Sequence, residues 1–170
     1  MKPTLAEINA SDRDGFVATL GHLFEHSPWV AAGTYDRRPF GSLDELHAAL
    51  CETMGAAPAW SQLELLRAHP DLAGRLAKAG QLTASSTQEQ AAAGLDQLTP
   101  DESREIQRLN DAYKERFGFP FIICARLNAK AAILDSMRGR VGSTPDAERS
   151  TALAEVAKIA RLRLNDAVST

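Results

Sequence analysis

One histidine stands at the end of an apolar helical run, a position suited to proton transfer. His69 follows Leu65 by four residues and Leu66 by three, so a helix through this run places the three side chains on one face. Pro70 then ends the helix. Histidine exchanges a proton near neutral pH and is a natural general acid or base. A core histidine bonded to a carbonyl explains the same pattern, and the spacing alone does not separate the two.

An arginine falls within the apolar stripe of the C-terminal segment. At about 100° per residue, Arg163 lies on the same side of a helix as Val156 and Ile159, whereas Arg161 lies at the edge of the stripe. A guanidinium among apolar side chains needs an acceptor, because an unpaired buried charge is costly. The pattern therefore predicts a protein carboxylate or an anionic ligand opposite Arg163, unless its stem extends to solvent.

Two further patterns have functional spacing and also a plain structural explanation. Glu89 closes the run Ser86-Thr87-Gln88-Glu89, which matches a capping box whose glutamate bonds the start of a helix. His22 and His26 have the spacing of two metal ligands on a helix, with Glu25 between them, but no third ligand is evident. From spacing alone we expect a capping glutamate, ordinary core or surface histidines, and no metal site.

The elements that position these residues are predicted to be helices. The chain is rich in alanine and leucine and contains only five valines, which favours helix over sheet. Capping patterns begin at Ser42, Ser86, Thr99 and Thr144. The predicted helices span residues 11–25, 43–54, 59–69, 71–79, 87–97, 100–117, 127–139 and 145–168. We therefore expect an all-α, single-domain bundle of about eight helices over residues 1–170.

Two segments do not fit this helical pattern. Residues 27–42 are predicted to form a long loop with three aromatic side chains, serving as a binding surface or as an anchored surface loop. Residues 117–125, F-G-F-P-F-I-I-C-A, are apolar enough to be buried, but Pro120 forbids a helix through their centre. An all-α domain offers this segment no neighbouring strand, so its peptide groups need side chains, water or a ligand. It either lines a small-molecule pocket or is a packed connector.

Composition and charge exclude several classes of function. The chain has 170 residues and a net charge of −3, which argues against a binder of nucleic acid or anionic membranes. Two cysteines form no disulfide framework, and no apolar run is long enough to span a membrane. The N-terminus lacks the apolar core of a signal peptide, and the final residues are not a peroxisomal address. We expect a soluble, cytoplasmic protein.

Five motifs stand in order along essentially the whole chain. They are E-H-S-P-W-V (25–30), A-H-P-D-L-A-G (68–74), S-T-x-E-Q-x-x-A-G-L-D (86–96), L-N-x-x-Y-x-x-R-F-G-F-P-F-I-I-C-A-R (109–126) and I-A-R-L-R-L (159–164). In this the chain resembles the 2-oxo-4-hydroxy-4-carboxy-5-ureidoimidazoline (OHCU) decarboxylases. Members of that family complete the conversion of urate to allantoin.

The resemblance implies a fold, an assembly and a set of site residues. It implies an all-α bundle that forms a homodimer, uses no cofactor and binds OHCU as its small-molecule substrate. The catalytic residues carried over are His69, Glu89 and Arg163, the last in preference to Arg161. The substrate-binding residues carried over are Pro70, Ser86, Phe119, Phe121, Ile122 and Ile123, with the backbone of the F-P-F-I-I segment facing the ring and ureido groups.

Other classes of function compete with this interpretation. A non-catalytic helical interaction domain would use residues 27–42 as its binding surface; it predicts no turnover and gives no reason for Arg163 to lie on an apolar stripe. A metallohydrolase built on His22 and His26 is a third and weaker possibility.

Overall fold

The described part of the chain is all-α, as predicted. This computed structural model describes residues 2–169, except for the side chains of residues 75 and 76, and among them it has helices and no β-strand. The α-helices are α1 (Leu5–Ala10), α2 (Arg13–Leu20), α3 (Trp29–Thr34), α4 (Leu43–Ala56), α5 (Ala59–Arg67), α6 (Arg75–Lys78), α7 (Ala84–Ala92), α8 (Pro100–Phe117), α9 (Lys130–Arg140) and α10 (Pro145–Ala167). Three short 3₁₀ helices cover Gly21–Leu23, Tyr35–Arg37 and Ala125–Leu127. Within this range, no helix combines the length and the apolar character needed to cross a bilayer.

The helices group into two compact units. The terminal unit contains the described residues up to Ala68 together with those from Ala157 onward, and the central unit is His69–Val156. Each unit has its own buried apolar side chains: Phe16 and Leu50 are examples in the terminal unit, Ile106 and Phe121 in the central unit. That residues 1–170 form one domain stays a prediction.

The loop predicted for residues 27–42 is largely helical instead. Trp29–Thr34 forms α3, and Tyr35–Arg37 continues as a 3₁₀ helix. The buried residues Val30, Ala31 and Thr34 fall at i, i+1 and i+4, which is the face of a short amphipathic helix packed on α2 and α4. The prediction of a loop was wrong because the helical repeat of apolar residues is only six residues long and lies among aromatic residues and prolines.

The first predicted helix, residues 11–25, was also wrong in extent. Thr4 and Glu7 form a capping box that begins α1, a helix the prediction missed although the T-x-x-E pattern is in the sequence. Asp12 then caps α2 by accepting a hydrogen bond from the N–H of Gly15. Within residues 11–25 the chain therefore makes one short helix, α2, and a 3₁₀ turn, and α1 precedes them.

Several of the longer helices follow the sequence signals closely. Thr99 and Glu102 form the predicted capping box of α8, and Gly118 ends that helix in the left-handed conformation with φ of 75°. Helix α10 spans all but the last residue of the predicted 145–168. The helices predicted at 43–54, 59–69 and 127–139 correspond to α4, α5 and α9, with ends shifted by up to three residues.

The start of α7 differs from the prediction in a way that matters for function. Its N-cap is Thr83, whose hydroxyl accepts a hydrogen bond from the N–H of Ser86 at 3.2 Å, and Ser86 lies inside the helix. Glu89 is five residues past Ala84, the first helical residue, so the Ser86–Glu89 capping box was wrong. The predicted helix 71–79 is likewise reduced to α6, preceded by a tight turn.

The observed cap makes a stability prediction. Thr83→Ala removes the side chain that satisfies an N–H at the start of α7, and we expect a loss of about 1 kcal/mol in the free energy of unfolding. Ser85→Ala, a matched control inside the same helix, should leave stability unchanged, because alanine is a good helix former. Urea unfolding of both variants measures the difference. Equal stability of the two variants would contradict the cap assignment.

Candidate active site

His69 lies just beyond a helix rather than within one. Helix α5 ends at Arg67, so the prediction that a helix continues through residue 69 was wrong in this detail. The cause is Pro70, which pushes the preceding residue out of the helical conformation. His69 is nevertheless buried, with 8% of its surface exposed. It begins the motif turn H-P-D-L-A-G, which we call the histidine turn (residues 69–74).

The histidine turn has little conformational freedom. Ala73 adopts a left-handed conformation with φ of 47°. A Cβ at Gly74 would lie 2.6 Å from the Cβ of Asp71, so the close approach of the backbone admits only glycine there. The Asp71 carboxylate also pairs with the Lys114 ammonium on α8 at 2.6 Å. These constraints fix the backbone that carries His69.

Helix α7 presents the S-T-x-E-Q residues on one face. Ser86, Glu89 and Gln90 lie three and four residues apart, which places them on neighbouring positions of the helix surface. Ser86 and Gln90 are buried and Glu89 is half-buried. The Oε1 atom of Gln90 accepts a hydrogen bond at 2.8 Å from the N–H of Ala73. This face of α7 is thus bonded directly to the histidine turn.

The F-P-F-I-I segment is extended and buried, as the sequence predicts. Side chains supply part of the partners that its peptide groups need. The Arg140 guanidinium donates to the carbonyl of Ile122 at 2.8 Å, and Glu155 on α10 accepts from the N–H of Cys124 at 2.8 Å. The N–H groups of Ile122 and Ile123 donate to no acceptor in the part of the chain that the structure describes. They are the groups a ligand would satisfy.

A buried polar network holds Arg140 in place. The Tyr113 hydroxyl donates to a carboxylate oxygen of Glu148 at 2.5 Å, and that carboxylate pairs with Arg140 at 3.0 Å. Burial, followed by the bond to Glu148, raises the pKa of Tyr113 well above its ordinary value, so the phenol stays protonated. Arg140, Glu148 and Glu155 were not predicted from the sequence. The available signal was two acids seven residues apart within the apolar stripe of α10.

Glu89 lies close enough to the extended segment to act on it electrostatically. Helix α7 packs against the 3₁₀ helix Ala125–Leu127, which directly follows the segment. Burial raises the pKa of the Cys124 thiol, and the carboxylates of Glu155 and Glu89 raise it further. The central unit therefore brings the inner face of α7 together with the histidine turn and with the end of the F-P-F-I-I segment.

Arg163 is placed in the terminal unit, where it is buried as predicted. Its Nη1 donates to the Oε2 of Glu25 at 2.8 Å, and the two side chains are only 4% and 3% exposed. Arg161 is 33% exposed and pairs with Asp44 on the surface. The sequence predicted either a protein carboxylate or an anionic ligand opposite Arg163, and the structure shows a protein carboxylate. Glu25 is the first residue of the E-H-S-P-W-V motif.

The two histidines near Glu25 do not share a helix. His22 lies in the 3₁₀ helix Gly21–Leu23, and His26 has a left-handed backbone with φ of 46°. The helical ligand spacing assumed for them was therefore wrong. Burial, with the nearby charge of Arg163, lowers the pKa of His22 and favours its neutral form. Among the described residues, no three or more His, Cys, Asp or Glu side chains are grouped so that they could hold a metal ion.

Comparisons of the whole chain with known proteins agree on one family. The family model described as OHCU decarboxylase matches residues 9–165. A protein of Amia calva named 2-oxo-4-hydroxy-4-carboxy-5-ureidoimidazoline decarboxylase is 44% identical, over 96% of this chain and 94% of its own length. Proteins of the same name from Haloferax volcanii and Mus musculus are 44% and 41% identical. They align over 98% and 95% of this chain and over 97% and 91% of their own lengths.

Solved structures show the same fold. The crystal structure of an (S)-allantoin synthase superposes with a TM-score of 0.80 at 30% identity, covering 98% of this chain and 55% of that chain. An OHCU decarboxylase crystallised in the presence of (S)-allantoin has a TM-score of 0.69, over 92% of this chain and 97% of its own. At 22% identity, this second likeness shows the fold alone.

The buried ion pair makes a second stability prediction. Glu25→Gln removes the carboxylate that the guanidinium of Arg163 contacts in a buried setting, and we expect a loss of about 3 kcal/mol in the free energy of unfolding. Asp44→Asn breaks the solvent-exposed pair with Arg161 and should change stability little. Chemical unfolding at neutral pH measures both variants. A larger loss for Asp44→Asn than for Glu25→Gln would contradict the burial of this pair.

Proposed function

We infer that this chain, which belongs to the OHCU decarboxylase family, removes carbon dioxide from 2-oxo-4-hydroxy-4-carboxy-5-ureidoimidazoline to give (S)-allantoin. The reaction is the last step in the conversion of urate to allantoin. The observation that carries this inference is the family match over residues 9–165, in a chain whose proposed site residues lie at buried and half-buried positions. The residue roles below are proposals that rest on the geometry of each unit and on the resemblance.

Decarboxylation requires an electron sink for the pair of electrons left when the carbon–carbon bond breaks. The bond between the ring carbon and the carboxyl carbon breaks, carbon dioxide leaves, and the pair remains on the ring carbon. The ring imine beside that carbon, which is conjugated with the ring carbonyl, accepts the pair and delocalises the charge. Protonation on one face of the ring then gives a single enantiomer. The protein must therefore stabilise the developing negative charge and control which face receives the proton.

His69 is proposed to act on the substrate hydroxyl. The imidazole is buried, so water is largely excluded from its hydrogen bonds and electrostatic interactions there are stronger than in solvent. A hydrogen bond from the ring stabilises charge as it develops on the hydroxyl oxygen. Pro70, next in the chain, is proposed to contact the substrate and helps to fix the imidazole through its own rigid ring.

Glu89 is proposed to bind the ureido N–H groups or to take part in proton transfer. The structural alternative for this residue was a helix cap, and Thr83 performs that role instead. Ser86 lies one turn earlier on the same face of α7 and is proposed as a substrate contact. The half-buried carboxylate is suited to charge-assisted hydrogen bonds with amide donors.

The extended segment is proposed to bind the substrate through its backbone. The N–H groups of Ile122 and Ile123 are directed donors whose acceptors the protein does not supply within the described residues. The carbonyl oxygens of the ring and ureido groups are the matching acceptors. Phe119 and Phe121 are proposed to contact the substrate beside them. Arg140 bonds the carbonyl of Ile122, and Glu155 bonds the N–H of Cys124. Because these bonds hold the backbone, the N–H donors of Ile122 and Ile123 are oriented before the substrate binds.

Arg163 is proposed to orient the anionic and carbonyl oxygens of the substrate. The Glu25 carboxylate occupies one edge of its guanidinium and holds the side chain in a single orientation.

Three expectations stay predictions: a homodimer and catalysis without a cofactor, which the resemblance implies, and a cytoplasmic location. The rival interaction domain was to use residues 27–42, most of which form α3 and a 3₁₀ helix. Turnover separates the two functions, because an interaction domain has none.

The proposed activity is tested directly with purified protein. Substrate is generated in situ from urate by urate oxidase and the hydrolase that follows it, and circular dichroism reports (S)-allantoin. We expect the chain to accelerate product formation and to give the (S)-enantiomer alone, with activity unchanged after dialysis against a chelator. An unaltered rate with racemic product would refute the function, and activity lost on chelation would indicate a metal.

The role of Glu89 is tested by an isosteric change. In Glu89→Gln the amide keeps the shape of the side chain but carries no negative charge and exchanges no proton, so we expect kcat to fall about 100-fold or more. The melting temperature should hardly move, since Thr83 caps α7. Gln88→Ala, on the exposed side of the same helix, is the control and should retain activity. Normal turnover of Glu89→Gln would return Glu89 to a structural role.

A further inference from the structure

One peptide group of the histidine turn is held at both of its ends. The carbonyl of Leu72 accepts a hydrogen bond from Nδ2 of Asn110 at 2.9 Å. The N–H of Ala73 belongs to the same peptide group, and it donates to Oε1 of Gln90 at 2.8 Å. Both bonds are buried. Two side-chain amides, one from α8 and one from α7, thus grip a single peptide plane three residues after His69.

Stability alone does not explain an asparagine at this position. Asn110 is fully buried, and its Oδ1 atom has no hydrogen-bond partner within the described residues. A buried polar atom without a partner lowers stability. The neighbouring Ala73 also keeps a left-handed backbone, which is unfavourable for any residue with a Cβ. Asn110 therefore lowers the stability of the fold through its own Oδ1 atom, and the turn that it holds has an unfavourable backbone conformation at Ala73.

Helix α8 provides a platform for this grip. Asn110 and Lys114 lie four residues apart on one face of the helix, and they bond two consecutive residues of the turn, Leu72 and Asp71. The Lys114–Asp71 pair is partly exposed to solvent, whereas the Asn110 bond is buried. Of the two bonds, that of Asn110 is therefore the one least open to competition from water.

We propose that Asn110, together with Gln90, is a positioning residue that sets the orientation of the His69 imidazole by fixing the Leu72–Ala73 peptide plane. The proposal rests on the proposed function in that His69 acts on the substrate. The rigid ring of Pro70 and the restricted turn leave few bonds through which rotation of that plane can be absorbed before it reaches His69. A displacement of about 1 Å at a catalytic group is enough to reduce turnover about 100-fold.

Asn110 offers the cleaner test, because Gln90 adjoins Glu89 on α7. Asn110→Leu keeps the size of the side chain and removes the donor, and Asn110→Asp keeps the shape and turns an acceptor toward the Leu72 carbonyl. Ile106→Val is the control: it lies one turn earlier on α8, is buried, and has no polar contact with the turn. Activity is measured at a temperature at which each protein is more than about 95% folded.

For both Asn110 variants we expect kcat to fall about tenfold or more with KM changed less than about twofold, and Ile106→Val to keep normal kinetics. The second readout needs no substrate. The imidazole resonances of His69, assigned with His69→Gln, are followed by NMR during a pH titration. We expect them to shift or broaden in the Asn110 variants and to stay unchanged in Ile106→Val.

The two readouts separate failure of the proposal from failure of the function. If the His69 resonances shift in the Asn110 variants but the wild-type protein has no activity, the positioning role is supported and the proposed function is refuted. If the wild-type protein is active and both Asn110 variants keep wild-type kcat and His69 resonances, the positioning role is overturned. An equal loss of kcat in Ile106→Val also overturns it, because the effect then follows stability alone.

Discussion

The structure depends on one constraint, which is that two stretches of non-helical backbone are buried in an all-α protein. The histidine turn and the F-P-F-I-I segment lack the internal bonds of a helix, so their peptide groups must find side-chain partners. Asn110 and Gln90 serve the turn, and Arg140 and Glu155 serve the segment. Helices α7, α8 and α9, and the part of α10 that belongs to the central unit, are the supports from which these four side chains reach inward.

The same constraint explains how much of the fold the sequence predicts. Where helix caps and apolar period agree, as in α8 and α10, the expected bounds are correct almost to the residue. Where short helices meet prolines and aromatic residues, as around α3, the period is too brief to detect. The start of α7 was misplaced because S-T-Q-E matches a stronger capping pattern than Thr83 does, and local preference lost to the burial of Ser86.

The candidate site was predictable in its residues and less so in their partners. Helical phase alone separates the buried Arg163 from the surface Arg161, because both lie in one long helix. Its partner Glu25 lies 138 residues away in sequence, and no spacing rule connects the two. Glu148 and Glu155 were missed for a related reason. The role of a buried acid depends on the groups to which it is hydrogen-bonded, and here those groups are distant in sequence. The resemblance supplied Glu89, for which the spacing favoured another role.

The side chains that hold the two stretches also differ in charge, and this difference fits the role of each stretch. Neutral amides hold the backbone beside His69, and they fix a peptide plane without adding a net charge that would bias the protonation of an imidazole. The extended segment is held by Arg140 and Glu155, and Glu148 balances the guanidinium with a buried carboxylate. A donor pair such as Ile122 and Ile123 tolerates charged supports, since a backbone N–H has no proton equilibrium near neutral pH to disturb. The buried supports of the histidine turn are thus neutral, and its charged pair, Asp71–Lys114, is partly exposed, whereas the buried supports of the extended segment are charged.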